Sequence, residues 1–187
     1  MDKWPSRDEA EAILNEWTKN KNLRKHAYAV EAAMRAYAVK LGGDADRWGI
    51  VGLLHDFDYE RFPDMASHPY KGAEYLRERG YAQELVDGVM AHAEHTRTER
   101  NAPMKTAVFA VDELTGLIVA VALVRPSKKL ADVTVESVLK KWDDKRFAAG
   151  VDRACIEQGA LELGVSLEEH VGTVLEAMKA ISDRLGL

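Results

Sequence analysis

Pro103-Met-Lys-Thr-Ala-Val-Phe-Ala-Val-Asp-Glu-Leu-Thr-Gly-Leu-Ile-Val-Ala-Val-Ala-Leu-Val124 is the stretch on which the fold turns. At about 3.6 residues per turn its apolar side chains wrap nearly all the way round, the pattern of a helix buried on every side. The part from Thr106 to Val124 approaches the length of a membrane span, but Asp112 and Glu113 interrupt it, so a core helix is the expectation. An ionised Asp112 in such a helix would cost several kcal/mol if left unpaired. A cation is therefore expected beside it.

Outward from this helix the chain punctuates itself into further helices. Ser6-Arg-Asp-Glu9 has the capping-box pattern and opens a helix through about Lys19. The spacing of Leu23, Ala27, Val30, Met34 and Tyr37 predicts a second helix from about Leu23 to Leu41, stopped by Gly42-Gly43. A third, from about Asp44 to His55, leads into an irregular loop from Phe57 to Ala66. A fourth starts at Ser67-His-Pro69, with Pro in its first turn, and runs through Arg79 to Gly80. A fifth covers Ala82 to His95. Beyond the central helix, shorter ones are expected near Val133 to Trp142, Lys145 to Ala149 and Asp152 to Leu163, with a last one opened by the box Ser166-Leu-Glu-Glu169. No segment alternates with period two, so the fold expected is all-α, a helical bundle around a central buried helix, in one domain spanning 1–187.

Composition narrows the partners. With 47% hydrophobic and 30% charged residues the chain is that of a globular protein, and a formal net charge of -5 argues against a nucleic-acid polymer. No membrane association is expected. The lone Cys155 suits a reducing compartment, and the absence of a basic-then-apolar leader at Met1-Asp2-Lys3-Trp4 points to the cytoplasm.

His55-Asp56 closes the apolar run Trp48 to Leu54 with two strong metal ligands on adjacent residues. On a helix they point roughly 100° apart, so further ligands must come from elsewhere. His26, His68, His92 and Asp112 are available, each near an apolar stripe or a helix boundary. Imidazole and carboxylate together suit Mn, Fe, Co, Ni or Zn better than Ca, with one or two ions and Mg admissible. Taken singly, a helical His is more often packed or solvated than a ligand. Solvation is the expectation for Asp58 and Glu60 in the loop and for His170 in the first turn of the last helix.

The isolated His26, the doublet His55-Asp56 and the later Asp112, in that order, resemble the signature of the HD superfamily of metal-dependent phosphohydrolases. Ser67-His-Pro-Tyr-Lys-Gly-Ala73 and Val89-Met-Ala-His92 resemble its six-ligand subgroup, which implies a dinuclear centre bridged by Asp56 and a metal-activated hydroxide attacking phosphorus. The signature region covers about residues 23–124. The helical extension, about 125–187, resembles only a bacterial predicted-hydrolase branch and brings no activity with it. His92 and His95 stand at i, i+3 on the expected fifth helix and both offer a fifth ligand, of which His92 is preferred. Lys71, one turn after His68, is a candidate to steady the phosphoryl oxygens, and Arg125, Lys128 and Lys129 are candidates to hold further phosphate. Arg125 to Lys129 is equally well read as cations complementing a helix C-terminus.

The resemblance implies a small phosphorylated metabolite or nucleotide as substrate. The same six-ligand scaffold resembles that of the mixed-valence di-iron oxygenases, in which O2 is the reactive species. A metal-stabilised ligand-binding module without turnover is the third reading.

Overall fold

Ser6 closes the N-terminus of the first helix, α1 (Arg7–Trp17), through the reciprocal pair expected from the sequence: its hydroxyl accepts the Glu9 N–H and the Glu9 carboxylate accepts the Ser6 N–H. The computed structural model describes residues 3–187, and among them every regular element is helical. Asn20 accepts the N–H groups of Asn22 and Leu23, which starts α2 (Lys21–Leu41) two residues earlier than its apolar stripe alone suggests. Gly42 ends it with a φ of 72°, a conformation that favours glycine. Asp44 caps α3 (Ala45–Leu54), which lies against α2 so closely that a Cβ on Gly52 would stand 2.9 Å from the Val30 carbonyl oxygen.

The chain continues through turns to α4 (Tyr70–Glu78), then α5 (Gln83–Ala91). Pro69 is the N-cap of α4 rather than a residue of its first turn, and the His68–Pro69 peptide is cis. The helix expected through His95 ends at Ala91; a separate 3₁₀ turn covers Glu94–Thr96. The Thr96 hydroxyl donates to the carbonyls of Met90 and Ala93, which satisfies orphaned acceptors at the end of α5 and folds the chain away.

The long helix α6 (Pro103–Leu123) is the core helix its sequence predicts. It is long and apolar enough to cross a membrane by length and composition, yet it packs against α2, α3, α5, α8 and α9, with Leu114, Leu117 and Ile118 fully buried. Past it come α7 (Val135–Leu139), α8 (Arg153–Leu163), α9 (Leu167–Lys179) and a short α10 (Ser182–Leu185) that the periodicity does not announce. No helix forms over Lys145 to Ala149. That segment is a set of turns, held because the Arg153 guanidinium donates to the carbonyls of Asp144 and Phe147 at 3.2 and 2.7 Å, a tertiary contact that outweighs local propensity. The α8–α6 contact is close enough that a Cβ on Gly159 would stand 2.5 Å from Ala110 Cα.

His170, expected to be solvated, is fully buried in α9. Its Nε2–H donates to the Ala110 carbonyl at 2.9 Å and its Nδ1 accepts the Tyr37 hydroxyl at 2.6 Å, so it ties α9 to both α6 and α2. The sequence window missed it because the partners lie 60 and 133 residues away.

Candidate metal centre

Five elements deliver the candidate ligands to one place. His26 comes from the first turns of α2, His55 from the C-terminus of α3 with Asp56 in the turn beyond it, and His68 from the segment before α4. His92 is the residue at which α5 ends, and Asp112 stands midway along α6. They form two groups, His26 with His55 and Asp112, and Asp56 with His68 and His92; within each, the ligand atoms lie within 4.8 Å of one another. Asp56 faces both. Its Oδ1 is 3.1 Å from His68 Nε2 and 3.2 Å from His92 Nε2, while its Oδ2 is 3.6 Å from His55 Nε2 and 4.0 Å from His26 Nε2. Asp112 Oδ1 is 2.9 Å from His26 Nε2 and 3.4 Å from His55 Nε2.

The proton inventory of the four imidazoles tests whether a cation fits. His55 Nδ1–H donates to the Gly52 carbonyl at 2.7 Å and His92 Nδ1–H to the Val89 carbonyl at 2.6 Å. His68 Nδ1–H donates to Asp58 Oδ1 at 2.7 Å. The Thr115 hydroxyl gives its own hydrogen to the Asp112 carbonyl, so it accepts from His26 Nδ1 at 3.2 Å. Each neutral ring thus turns an unprotonated Nε2 inward, and these lone pairs face each other at 3.2 Å between His26 and His55 and at 3.1 Å between His68 and His92. Two nitrogen lone pairs at that distance repel unless a proton or a metal ion lies between them. The donor set and its outer hydrogen bonds are those of transition-metal sites.

Without a metal, protons take that place. Burial pushes the His55 imidazole down, but Asp56 and Asp112 outweigh it and raise it to about 9; His68 is raised to about 9 against the same burial by Asp56 and Asp58. Burial opposes ionisation of Asp56, yet His55, His68 and His92 hold its carboxyl well below the usual range. Asp112 is lowered in the same way, by His55 and His26.

Asp58 belongs to the centre and not to solvent. Its carboxylate is fully buried, with Oδ1 on His68 and Oδ2 accepting the Gly72 N–H at 2.7 Å, so it both orients a ligand and caps α4, whose own N-cap offers no side chain. Gly72 makes this approach feasible, since a Cβ there would stand 3.0 Å from Asp58 Cγ. The signal available beforehand was Asp58 two residues after the doublet together with the glycine of His68-Pro-Tyr-Lys-Gly72. Glu60 is exposed and accepts the Lys19 and Asn20 N–H groups, away from the ligands.

The two groups open onto a cleft of about 870 Å³, walled by α6 and the start of α8 as well as by Tyr59 and Met65. His95 lines it and is not on a common helical face with His92; its Nε2–H donates to the His68 carbonyl at 2.9 Å. The cations proposed for phosphate lie elsewhere. Lys71 points from the exposed side of α4 and pairs with Glu74 at 2.8 Å. Arg125, Lys128 and Lys129 follow the end of α6, with Arg125 about 20 Å along the axis from Asp112 at ~1.5 Å per residue. None of the four lines the cleft.

An all-α bundle with two His/Asp groups facing one carboxylate, all four Nδ1 atoms pinned outward, is the arrangement of a His-Asp doublet protein whose side chains could hold divalent metal ions. The family model described as HD domain matches residues 23–146, and the chain belongs to that family. It is similar to Ribonuclease Y of Fervidobacterium nodosum, 30% identical over 147 residues, 76% of this chain and 27% of that protein. It is likewise 30% identical over 150 residues to Ribonuclease Y of Thermosipho melanesiensis, 79% of this chain and 28% of that one. The chain therefore spans little more than a quarter of the length of these relatives. No solved structure matches it.

Proposed function

We propose that the chain is a metal-dependent phosphohydrolase acting in the cytoplasm on a small phosphorylated metabolite or nucleotide. The observation that carries the reading is the pair of ligand groups joined by Asp56, with all four imidazoles held by a partner at Nδ1 and their Nε2 atoms turned inward. His26, His55 and Asp112 would hold one divalent ion, and Asp56, His68 and His92 a second. Bound there, the ions would polarise a phosphoryl oxygen and lower the pKa of water toward neutrality. Membership of the HD family and the ribonuclease name of the relatives support hydrolysis of a phosphoester. A net charge of -5 supports a small substrate over a polymer.

The chain's own residues supply position and charge. Asp56 stays ionised and bears on both groups, Asp58 fixes the ring of His68, and Thr115 fixes that of His26. Cys155 on the cleft wall does not compete as a nucleophile, because burial and Asp152 push its thiol up to about 12. The test is metal analysis of the purified protein, then phosphate release from phosphomonoesters and nucleotides with Mn, Fe, Co, Ni or Mg. Release that disappears in Asp56→Ala is the expected result. Turnover that demands iron and O2, or tight nucleotide binding with no turnover under any metal, would overturn it.

A further inference from the structure

Among the described residues that line the cleft, none is Lys or Arg. A site that handles a polyphosphate needs cationic side chains beyond its metals, because each added phosphate brings charge that the cleft must solvate in place of water. Here the wall away from the ligands has the opposite sign. Glu113 follows Asp112 on α6, Asp152 caps α8, Glu94 begins the 3₁₀ turn, and none of the three forms an ion pair among the described residues. Glu113 Oε2 accepts the Asp152 N–H at 3.1 Å, and Asp152 Oδ1 accepts the N–H groups of Ala154 and Cys155 at 2.9 and 3.3 Å. Among the described residues, neither Glu113 Oε1 nor Asp152 Oδ2 accepts a backbone N–H or a cationic N–H. Arg97, close in sequence, lines a neighbouring groove with Arg100 and Glu162 instead.

Charge balance gives this wall a meaning. Two divalent ions bring four positive charges against the three carboxylates of Asp56, Asp58 and Asp112, so one phosphate dianion already takes the sum to one negative charge. The remaining carboxylates then have no counter-charge except what the substrate carries. Tyr59, whose ring stands at 84° to that of His68 with centroids 5.2 Å apart, also lines the cleft and supplies an aromatic side chain, which favours an ammonium group over an anion. We infer that the cleft selects phosphomonoesters whose non-phosphoryl part bears a protonated amine, received by Glu113 and Asp152, and turns away polyphosphates. The inference rests on the phosphohydrolase reading and names its substrate class.

Calorimetric binding to the manganese-loaded protein tests it, with O-phosphoethanolamine, ethyl phosphate, glycerol 3-phosphate and ADP as probes. Phosphoethanolamine is expected to bind roughly tenfold or more tightly than ethyl phosphate, with ADP weakest. In Glu113→Gln the preference should fall toward unity while manganese content and ethyl phosphate affinity hold. Asp152→Asn, which keeps the capping oxygen, should act in the same direction. Equal affinities in the unaltered protein, tighter binding of ADP or glycerol 3-phosphate, or a preference that survives both substitutions would overturn the amine assignment alone. A protein that takes up manganese but binds none of the probes would refute the phosphohydrolase reading and the inference with it.

Discussion

Asp58→Asn exchanges a single atom of a fully buried side chain, at a point where two donors compete for its oxygens. The carboxylate satisfies both at once, His68 Nδ1–H and Gly72 N–H, each at 2.7 Å. An asparagine has one acceptor oxygen and one NH2 donor, so it can satisfy only one of them. If the oxygen stays on Gly72, the NH2 faces His68 Nδ1, which must then become the acceptor. The proton moves to Nε2, where it blocks the lone pair aimed at Asp56 and His92. The charge that helps raise His68 is lost as well. Loss of such an outer partner lowers metal affinity by about 10- to 100-fold, and one charge-assisted hydrogen bond is worth about 1.5–3 kcal/mol of stability. The affected group is Asp56, His68 and His92; the group of His26, His55 and Asp112 keeps its own Nδ1 partners. Manganese titration by calorimetry should therefore pass from two sites to one strong and one weakened site, with urea unfolding reporting the stability loss separately. Two unaltered sites in a folded Asp58→Asn protein would refute the tautomer reasoning.

Metal uptake should release protons, because His55 and His68, raised to about 9 without metal, must give up theirs; affinity should climb with pH toward 9, and calorimetry in buffers of differing ionisation heat measures the release. His170 behaves in the opposite sense: burial lowers it to about 4, so its contribution is whole above its unfolded value of 6.5 and is lost as pH falls through 6.5 to 4, up to roughly 3 kcal/mol. Urea unfolding at pH 7 and pH 5 should show that loss in the unaltered protein and a smaller one in His170→Gln, and equal pH dependence in the two would count against it. Gly159→Ala drives a Cβ to 2.5 Å from Ala110 Cα, where no flexible side chain can yield, so thermal melts should report a loss of about 1–3 kcal/mol or more.

Helices α1, α2, α3, α6, α8 and α9 were legible because caps, glycine stops and apolar period are local, and those same signals carried His26, His55, Asp56 and Asp112 to their elements. The α5 terminus was not legible, since Ala91 and His92 continue the period and only the Thr96 hydroxyl, reaching back to Met90, shows why the helix stops. Lys71 illustrates a different failure: helical spacing placed it one turn from His68, but spacing does not say which way an α4 side chain faces, and it faces solvent and Glu74.

Residue types and their order by themselves determined that this chain is helical, that α6 is its core and which His and Asp side chains could hold a metal ion, because those properties depend on side-chain chemistry and local period. Only the tertiary structure decided that Asp58 is an orienting carboxylate, that His170 is a buried tie, that no Lys or Arg among the described residues lines the cleft and that Asp56 faces both ligand groups. Each of these is a contact between segments distant in the chain, and burial, hydrogen-bond direction and electrostatic environment are set by such contacts.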